Sequence, residues 1–223
     1  MAAPRAVVLL SGGIDSAVAL HWTLREGHDV LPLTFDYHLR PQRELAALGA
    51  QLAHAGALHP GKVAPLRRVA VPFLREVEDM ASRPAHLEGA PEGYIPARNL
   101  VFYAIAASLA EEQGAQRIVG GHNGTDPDLF PDSSPAFFAA LNEQLGRAAW
   151  SHARAPFRIA VPLAGKGKGE VLSLGLSLGA RFDLTWSCYR DGRLACGACG
   201  SCAERRAAFA SLGWEDPLPY AEP

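Results

Sequence analysis

Apolar residues in this chain fall in short runs rich in valine, isoleucine and leucine, and these runs alternate with stretches in which apolar positions recur at helical spacing. Ala6 to Leu10 reads as a buried strand followed by a helix to Glu26. Asp29 to Phe35 reads as a second strand, with a helix from Gln42 to Ala57 behind it, and Arg67 to Val71 as a third. A helix over Arg98 to Glu112 and a strand at Arg117 to Gly121 continue the alternation. Strands without a polar face, separated by helices, predict an α/β fold with a doubly wound parallel sheet, whose ligands bind beyond the carboxyl ends of the strands. The Pro-, Gly- and Glu-rich stretch from Arg83 to Pro96 reads as a surface loop able to close over such a site. Residues 122 to 135, "HNGTDPDLFPDSSP", follow a strand end and should face the same pocket as the loop after the first strand. "AGKGKGE" at 164 to 170 is a Gly/Lys turn leading into a helix.

Composition narrows the class. With 223 residues and 48% hydrophobic content the chain can build a sizeable core, which excludes a disordered polymer. A net charge of -2 supplies no global basic field, so a small-molecule substrate is expected and direct nucleic-acid binding is not. The longest apolar run, Leu100 to Ala110, falls short of a bilayer span, and the amino terminus lacks a signal-peptide pattern. No membrane association and a cytoplasmic location are therefore expected; a homodimer is left open.

Candidate chemistry begins at "VVLLSGGIDSAVAL", residues 7 to 20. Gly12 and Gly13 can take positive φ and bring bare N–H groups close to an anion. Ser11 and Ser16 offer hydroxyls, and the following helix presents its positive end. Asp15 suits an anion site only if it caps the helix or meets a bound magnesium ion. Neither the Walker A spacing nor the dinucleotide fingerprint is present. All four cysteines lie in "CYRDGRLACGACGSC": Cys188, Cys196, Cys199 and Cys202. Two-residue spacers set thiolates at knuckle geometry for tetrahedral zinc, and four protein ligands leave no open position, so a structural zinc is expected. An iron–sulfur cluster and free or redox thiols are the other readings.

The full SGGxDS pattern after a first strand resembles the PP-loop of the ATP pyrophosphatases (adenine nucleotide alpha hydrolase-like fold), which split ATP between its α and β phosphates and transfer AMP to a substrate oxygen. That resemblance implies an ATP site over Leu10, Ser11, Gly12, Gly13, Ile14, Asp15, Ser16, Ala17, Val18, Ala19 and Leu20, with Mg²⁺. Four further stretches, "YIPARN" (94 to 99), "GHNGTD" (121 to 126), "FPDSSPAFFAALN" (130 to 142) and "LTWSCY" (184 to 189), resemble the ordered motifs of the 7-cyano-7-deazaguanine synthase family. The resemblance implies ATP-dependent conversion of 7-carboxy-7-deazaguanine and ammonia to the nitrile, a queuosine precursor, and a four-cysteine zinc site. It further implies an ATP-binding domain over residues 1–183 and a zinc-binding segment over 184–223.

Arg98 and Lys168 are then the expected catalytic cations, with Asp15 beside them. Tyr94, Asn99, Asn123, Asp126 and Asp132 are the expected substrate residues; Asn123 and Asp126 would read a guanine-like edge, hold magnesium or make an Asx turn. The chain departs from the family pattern at 130 to 137, where Ser134 and Ala136 replace an arginine and a glutamate. Tyr37, Arg40 and Glu44 keep part of an early tyrosine stretch. A PP-loop enzyme adenylating another carboxylate, amide or tRNA base, and a non-catalytic zinc-knuckle module, are the alternative readings.

Overall fold

The computed structural model describes residues 3–37, 41–74, 85–90 and 94–221. Five strands, β1 (Arg5–Leu9), β2 (Asp29–Asp36), β3 (Arg67–Ala70), β4 (Arg117–Val119) and β5 (Arg158–Ala160), form one all-parallel sheet in the order β3-β2-β1-β4-β5. The chain proceeds outward from β1 through β2 to β3, then returns to the other side of β1 for β4. The crevice between the carboxyl ends of β1 and β4 is thus the topological switch point.

Both faces of β1 are covered, which is why its sequence shows no polar alternation. Ala6 and Val8 pack with Leu20 and Leu24 of α1 (Ile14–Arg25) and Leu48 and Ala55 of α2 (Gln42–Leu58). Val7 points the other way, into a core shared with Phe102, Tyr103 and Ala106 of α3 (Arg98–Gln113). The Leu100 to Ala110 run is therefore a core helix. A short turn of helix, α4 (Asp126–Leu129), interrupts the loop after β4, and α5 (Pro135–Ala148) adds Phe138 and Leu141 to that same core. The remaining helices, α6 (Lys168–Ser177) and α7 (Gly200–Ser211), pack against α1 through Val171, Leu172, Ala208, Phe209, Ile14 and Val18. The boundary expected at 183/184 lies within this shared packing. No helix among the described residues is long and apolar enough to cross a membrane.

α1 carries a buried histidine near its end. Burial, reinforced by the charges of His54 and His59, lowers His21 from 6.5 to about 4, against a hydrogen bond to the backbone of Leu178. Its ring lies 5.6 Å from that of His54. A depressed folded-state value means the unfolded chain binds the proton more tightly, so this contribution is intact above pH 6.5 and is lost as pH falls toward 4. Thermal melts between pH 7.5 and 5 should fall with a slope that His21→Gln flattens by up to about 1.4 kcal/mol per pH unit. Parallel slopes for the two proteins would rule this out.

Candidate functional site

A pocket of about 590 Å³ opens at the switch point, bounded by the loop after β1, the end of β2, the start of α3, the loop after β4, the start of α6 and residues of the cysteine-rich segment. The loop after β1 is braced from within. Ser16 donates its hydroxyl to the Gly13 carbonyl (3.1 Å) and accepts from Ser11 Oγ (3.1 Å) and Gly12 N–H (3.3 Å), so its hydroxyl is spent holding the loop. Only Gly12 of the glycine pair has positive φ, +106°, and a Cβ there would lie 2.4 Å from the Glu44 carbonyl oxygen. Gly13 is extended and forms the N-cap of α1. The Gly12 carbonyl is anchored by Trp186 N–H (3.0 Å) and by Gln51 Nε2 (2.7 Å), which also reaches the Leu184 carbonyl (3.0 Å).

Asp15 lies in the first turn of α1 but does not cap it. Its Oδ2 accepts from Lys168 Nζ (2.7 Å) and Asn123 Nδ2 (3.2 Å), while its buried Oδ1 has no hydrogen-bond partner. Gly121 allows this juxtaposition, since a Cβ there would meet the Asp15 carbonyl at 2.8 Å. Glu204 of α7 approaches Lys168 from the far side, 3.5 Å away. Burial works against the Lys168 charge, but Asp15 and Glu204 outweigh it and hold the amine above its ordinary value. Lys168 is thus a fixed cation, its side chain 17% exposed. Asn123 and Asp126 shape their own loop: Asn123 Oδ1 accepts from Thr125 N–H and Oγ1, and Asp126 Oδ2 accepts from Asn123 N–H (2.9 Å). Burial raises the Asp126 carboxyl to about 6, and burial together with Arg98 lowers neighbouring His122 to about 4.

Arg98 and Asn99 open α3 after Ala97, a left-handed non-glycine residue (φ 53°) that supplies no cap of its own. Asp132 fills that role from another loop. Its Oδ2 accepts from Asn99 N–H (2.9 Å), and Asn99 Nδ2 donates to the Asp132 carbonyl (3.1 Å). Tyr94 stacks on Phe130, and the Arg98 guanidinium sits 5.9 Å from the Phe130 ring centre. Ser134 caps α5 by accepting from Phe137 N–H (3.2 Å). Its departure from the family pattern therefore has a local use. Ser134→Arg should cost about 1 kcal/mol of stability through the lost cap, whereas Ala136→Glu at the second helical position should be neutral or mildly stabilising. Denaturant titrations of both variants would check this, and an unchanged Ser134→Arg would remove the cap from the account.

The four cysteine sulfurs lie within 4.8 Å of one another. Cys188 Sγ accepts from Arg190 and Cys196 N–H, and Cys196 Sγ from Cys199 N–H, each at 3.4 Å. N–H groups of Ala198 and Cys199 aimed at its sulfur hold Cys196 down to about 6, while burial pushes Cys188 and Cys202 up. A tetrahedral zinc with Zn–S bonds of about 2.3 Å needs sulfurs about 3.8 Å apart; Cys196 and Cys202 are separated by 4.0 Å. The donor set and its spacing fit that ion.

Of the residues singled out from sequence, Leu10, Ser11, Gly13, Ile14, Asp15, Ser16, Arg98, Asn99, Lys168 and Cys188 border the pocket. Ala17, Val18, Ala19 and Leu20 are buried in the helix interface behind it. Tyr94, Asn123, Asp126 and Asp132 lie one layer out, holding the loops that carry Arg98 and Asp15. Arg40 and residues 83, 84 and 91–93 of the 83 to 96 loop fall outside the described residues. Sequence reasoning missed Glu204, Arg205, Trp186 and Gln51. Arg205 had a signal: it stands with Cys202, Ala208 and Phe209 at helical spacing, a cation set in an apolar stripe.

The chain is similar to known proteins over most of its length. The family model described as queuosine biosynthesis protein QueC matches residues 5–213. A protein of Nostoc sp. named 7-cyano-7-deazaguanine synthase is 38% identical, the alignment covering 97% of each chain. One of the same name from Thermoplasma acidophilum is 36% identical over 97% of this chain and 92% of its own. Among solved structures, a 4-thiouridine synthetase in complex with RNA and ATP superposes with a TM-score of 0.54 at 22% identity, covering 87% of this chain and 45% of that one. NMN synthetase from Francisella tularensis gives a TM-score of 0.52 at 13% identity, with 96% and 79% covered. The two structures share the fold, and the sequence matches span both the glycine loop and the cysteine knuckle: the chain belongs to the QueC family.

Proposed function

We propose that this protein makes 7-cyano-7-deazaguanine from 7-carboxy-7-deazaguanine, ammonia and ATP, through adenylated intermediates. A carboxylate is a poor electrophile at neutral pH, and joining its oxygen to AMP makes that oxygen a leaving group. Attack by ammonia gives the amide with release of AMP; a second adenylation, on the amide oxygen, lets nitrogen expel AMP again and leaves the nitrile. Both carboxyl oxygens therefore depart on AMP. The loop from Ser11 to Gly13 shapes the site, and the N–H groups of the first turn of α1 hold the phosphates. Lys168 and Arg98 supply the positive charge that pyrophosphate needs as it leaves.

The donor set also suits a divalent cation. Asp15 Oδ1, buried without a partner at the pocket floor, is the natural ligand for Mg²⁺, which supplies charge neutralisation on the phosphates. Lys168 then passes from Asp15 to phosphate. The four cysteines hold a structural zinc, dividing the work between an ATP-binding portion up to residue 183 and a metal-bearing segment from 184.

The observation that carries this reading is the pairing of an intact SGGIDS loop at the switch point with near full-length similarity to proteins named for this reaction. Incubating the protein with ATP, magnesium, ammonium and 7-carboxy-7-deazaguanine tests it. AMP and a product with the mass of the nitrile are expected. AMP formed only with a different carboxylate or amide would move the substrate assignment, and no AMP with any would end the adenylation reading.

A further inference from the structure

The cysteine-bearing helix does more than carry metal ligands to the pocket wall. Arg205, one turn beyond Cys202 on α7, is 1% exposed, yet it borders the pocket. Its fork is wholly committed to protein. Nε and Nη2 donate to Asp216 at 2.9 Å, Nη2 also reaches the Phe182 carbonyl (3.0 Å), and Nη1 donates to Thr185 Oγ1 (2.6 Å) and lies 3.5 Å from Ser187 Oγ. With these donors spent, the guanidinium is no hook for phosphate despite its position.

We propose that Arg205 is a positioning residue: it ties the cysteine knuckle to the glycine loop, so that phosphate affinity depends on the metal through it. A buried arginine–carboxylate pair is weak evidence for net stability, because its desolvation offsets most of the attraction. What the pair does supply is direction. It fixes Thr185, whose hydroxyl donates onward to the Phe182 carbonyl (2.7 Å). The next residue, Trp186, donates its N–H to the Gly12 carbonyl at 3.0 Å. Gly12 has the one backbone conformation in the loop that a side chain could not share. The link from knuckle to loop is therefore continuous: Cys202, one turn of α7, Arg205, Thr185, Trp186, Gly12.

This inference rests on the glycine loop holding phosphate. Its test is isothermal titration at 25 °C of the metal-loaded full chain with magnesium α,β-methylene-ATP, which cannot be split between its α and β phosphates. Thr185→Val keeps the shape of a residue that does not border the pocket but removes its hydroxyl. It should retain metal content and circular dichroism yet bind the analogue about tenfold more weakly, equivalent to about 1.4 kcal/mol. Arg205→Lys, keeping charge without the fork, should weaken binding further if it folds; Thr185→Val decides the matter if it does not. Chelated wild type should lose at least as much affinity. A Thr185→Val protein with a lower melting temperature but wild-type affinity would overturn the proposal and leave Arg205 a structural group. Failure of the wild type to bind the analogue would instead bring down the phosphate reading of the loop.

Discussion

Gly12→Ala should abolish adenylation, cutting turnover at least 100-fold, and should lower the melting temperature as well. At φ +106° an alanine is strained, and its methyl would stand 2.4 Å from the Glu44 carbonyl, a backbone atom that cannot swing aside. Relief requires α2 and the loop to part, but Gln51 of the same helix holds the Gly12 carbonyl, and Trp186 N–H holds it as well. Misplacing N–H groups by about 1 Å at a phosphate site costs about 100-fold in rate. Gly13→Val provides the contrast. Gly13 has an ordinary backbone conformation, and the nearest atom to a Cβ there is Ser11 Oγ at 3.4 Å, so the fold should tolerate the change. The branched side chain would nonetheless occupy the space that phosphate needs. Loss of activity with an unchanged melt is therefore expected for Gly13→Val, and loss of both for Gly12→Ala. Normal turnover by either would contradict the loop's assigned role.

Removal of the metal should be the largest effect on stability. Four thiols gathered within 4.8 Å would have little reason to stay together without an ion to neutralise them. In small zinc domains metal binding is worth about 10–16 kcal/mol of apparent free energy, all of it folding free energy. Here the knuckle also clips the carboxyl tail, through Ala195 N–H to the Pro219 carbonyl (3.0 Å) and Ala221 N–H to the Ala195 carbonyl (2.8 Å). Its helix contributes Ala208 and Phe209 to the packing against α1. Loss should thus spread to the pocket instead of stopping at residue 184. Elemental analysis is expected to give one zinc per chain, and chelation or Cys199→Ser a drop in melting temperature of more than 10 °C, since about 1 kcal/mol shifts a protein of this size by 2–4 °C. An iron–sulfur absorption spectrum, or an unchanged melt, would contradict this.

Much of this arrangement is legible in the sequence, for physical reasons. β1, β2 and their helices are announced by long apolar runs, because a parallel sheet covered on both faces has no use for polar alternation. β5 is not: three residues, of which only Ile159 is buried, carry no pattern. α5 hides behind Pro135, which looks like a loop residue but serves as the first residue of a helix capped by Ser134. The glycine loop and cysteines are contiguous in sequence, so their chemistry can be read directly. The bonds that orient the site are not contiguous. Asp15 meets Lys168 across 153 positions, and Asp132 caps a helix that begins 34 residues earlier. Asn123 divides its side chain between its own turn, through Oδ1, and Asp15, through Nδ2, a pairing only three-dimensional geometry reveals.

If carboxyl oxygens leave on AMP from a site built on the SGGIDS loop, label placed on those oxygens must end in AMP. Supplying 7-carboxy-7-deazaguanine labelled with ¹⁸O in its carboxyl group, with ATP, magnesium and ammonium, tests it in one mass spectrum. A nitrile free of label and one labelled oxygen in each AMP formed are expected. Label appearing in water or in inorganic phosphate, with AMP unlabelled, would contradict it.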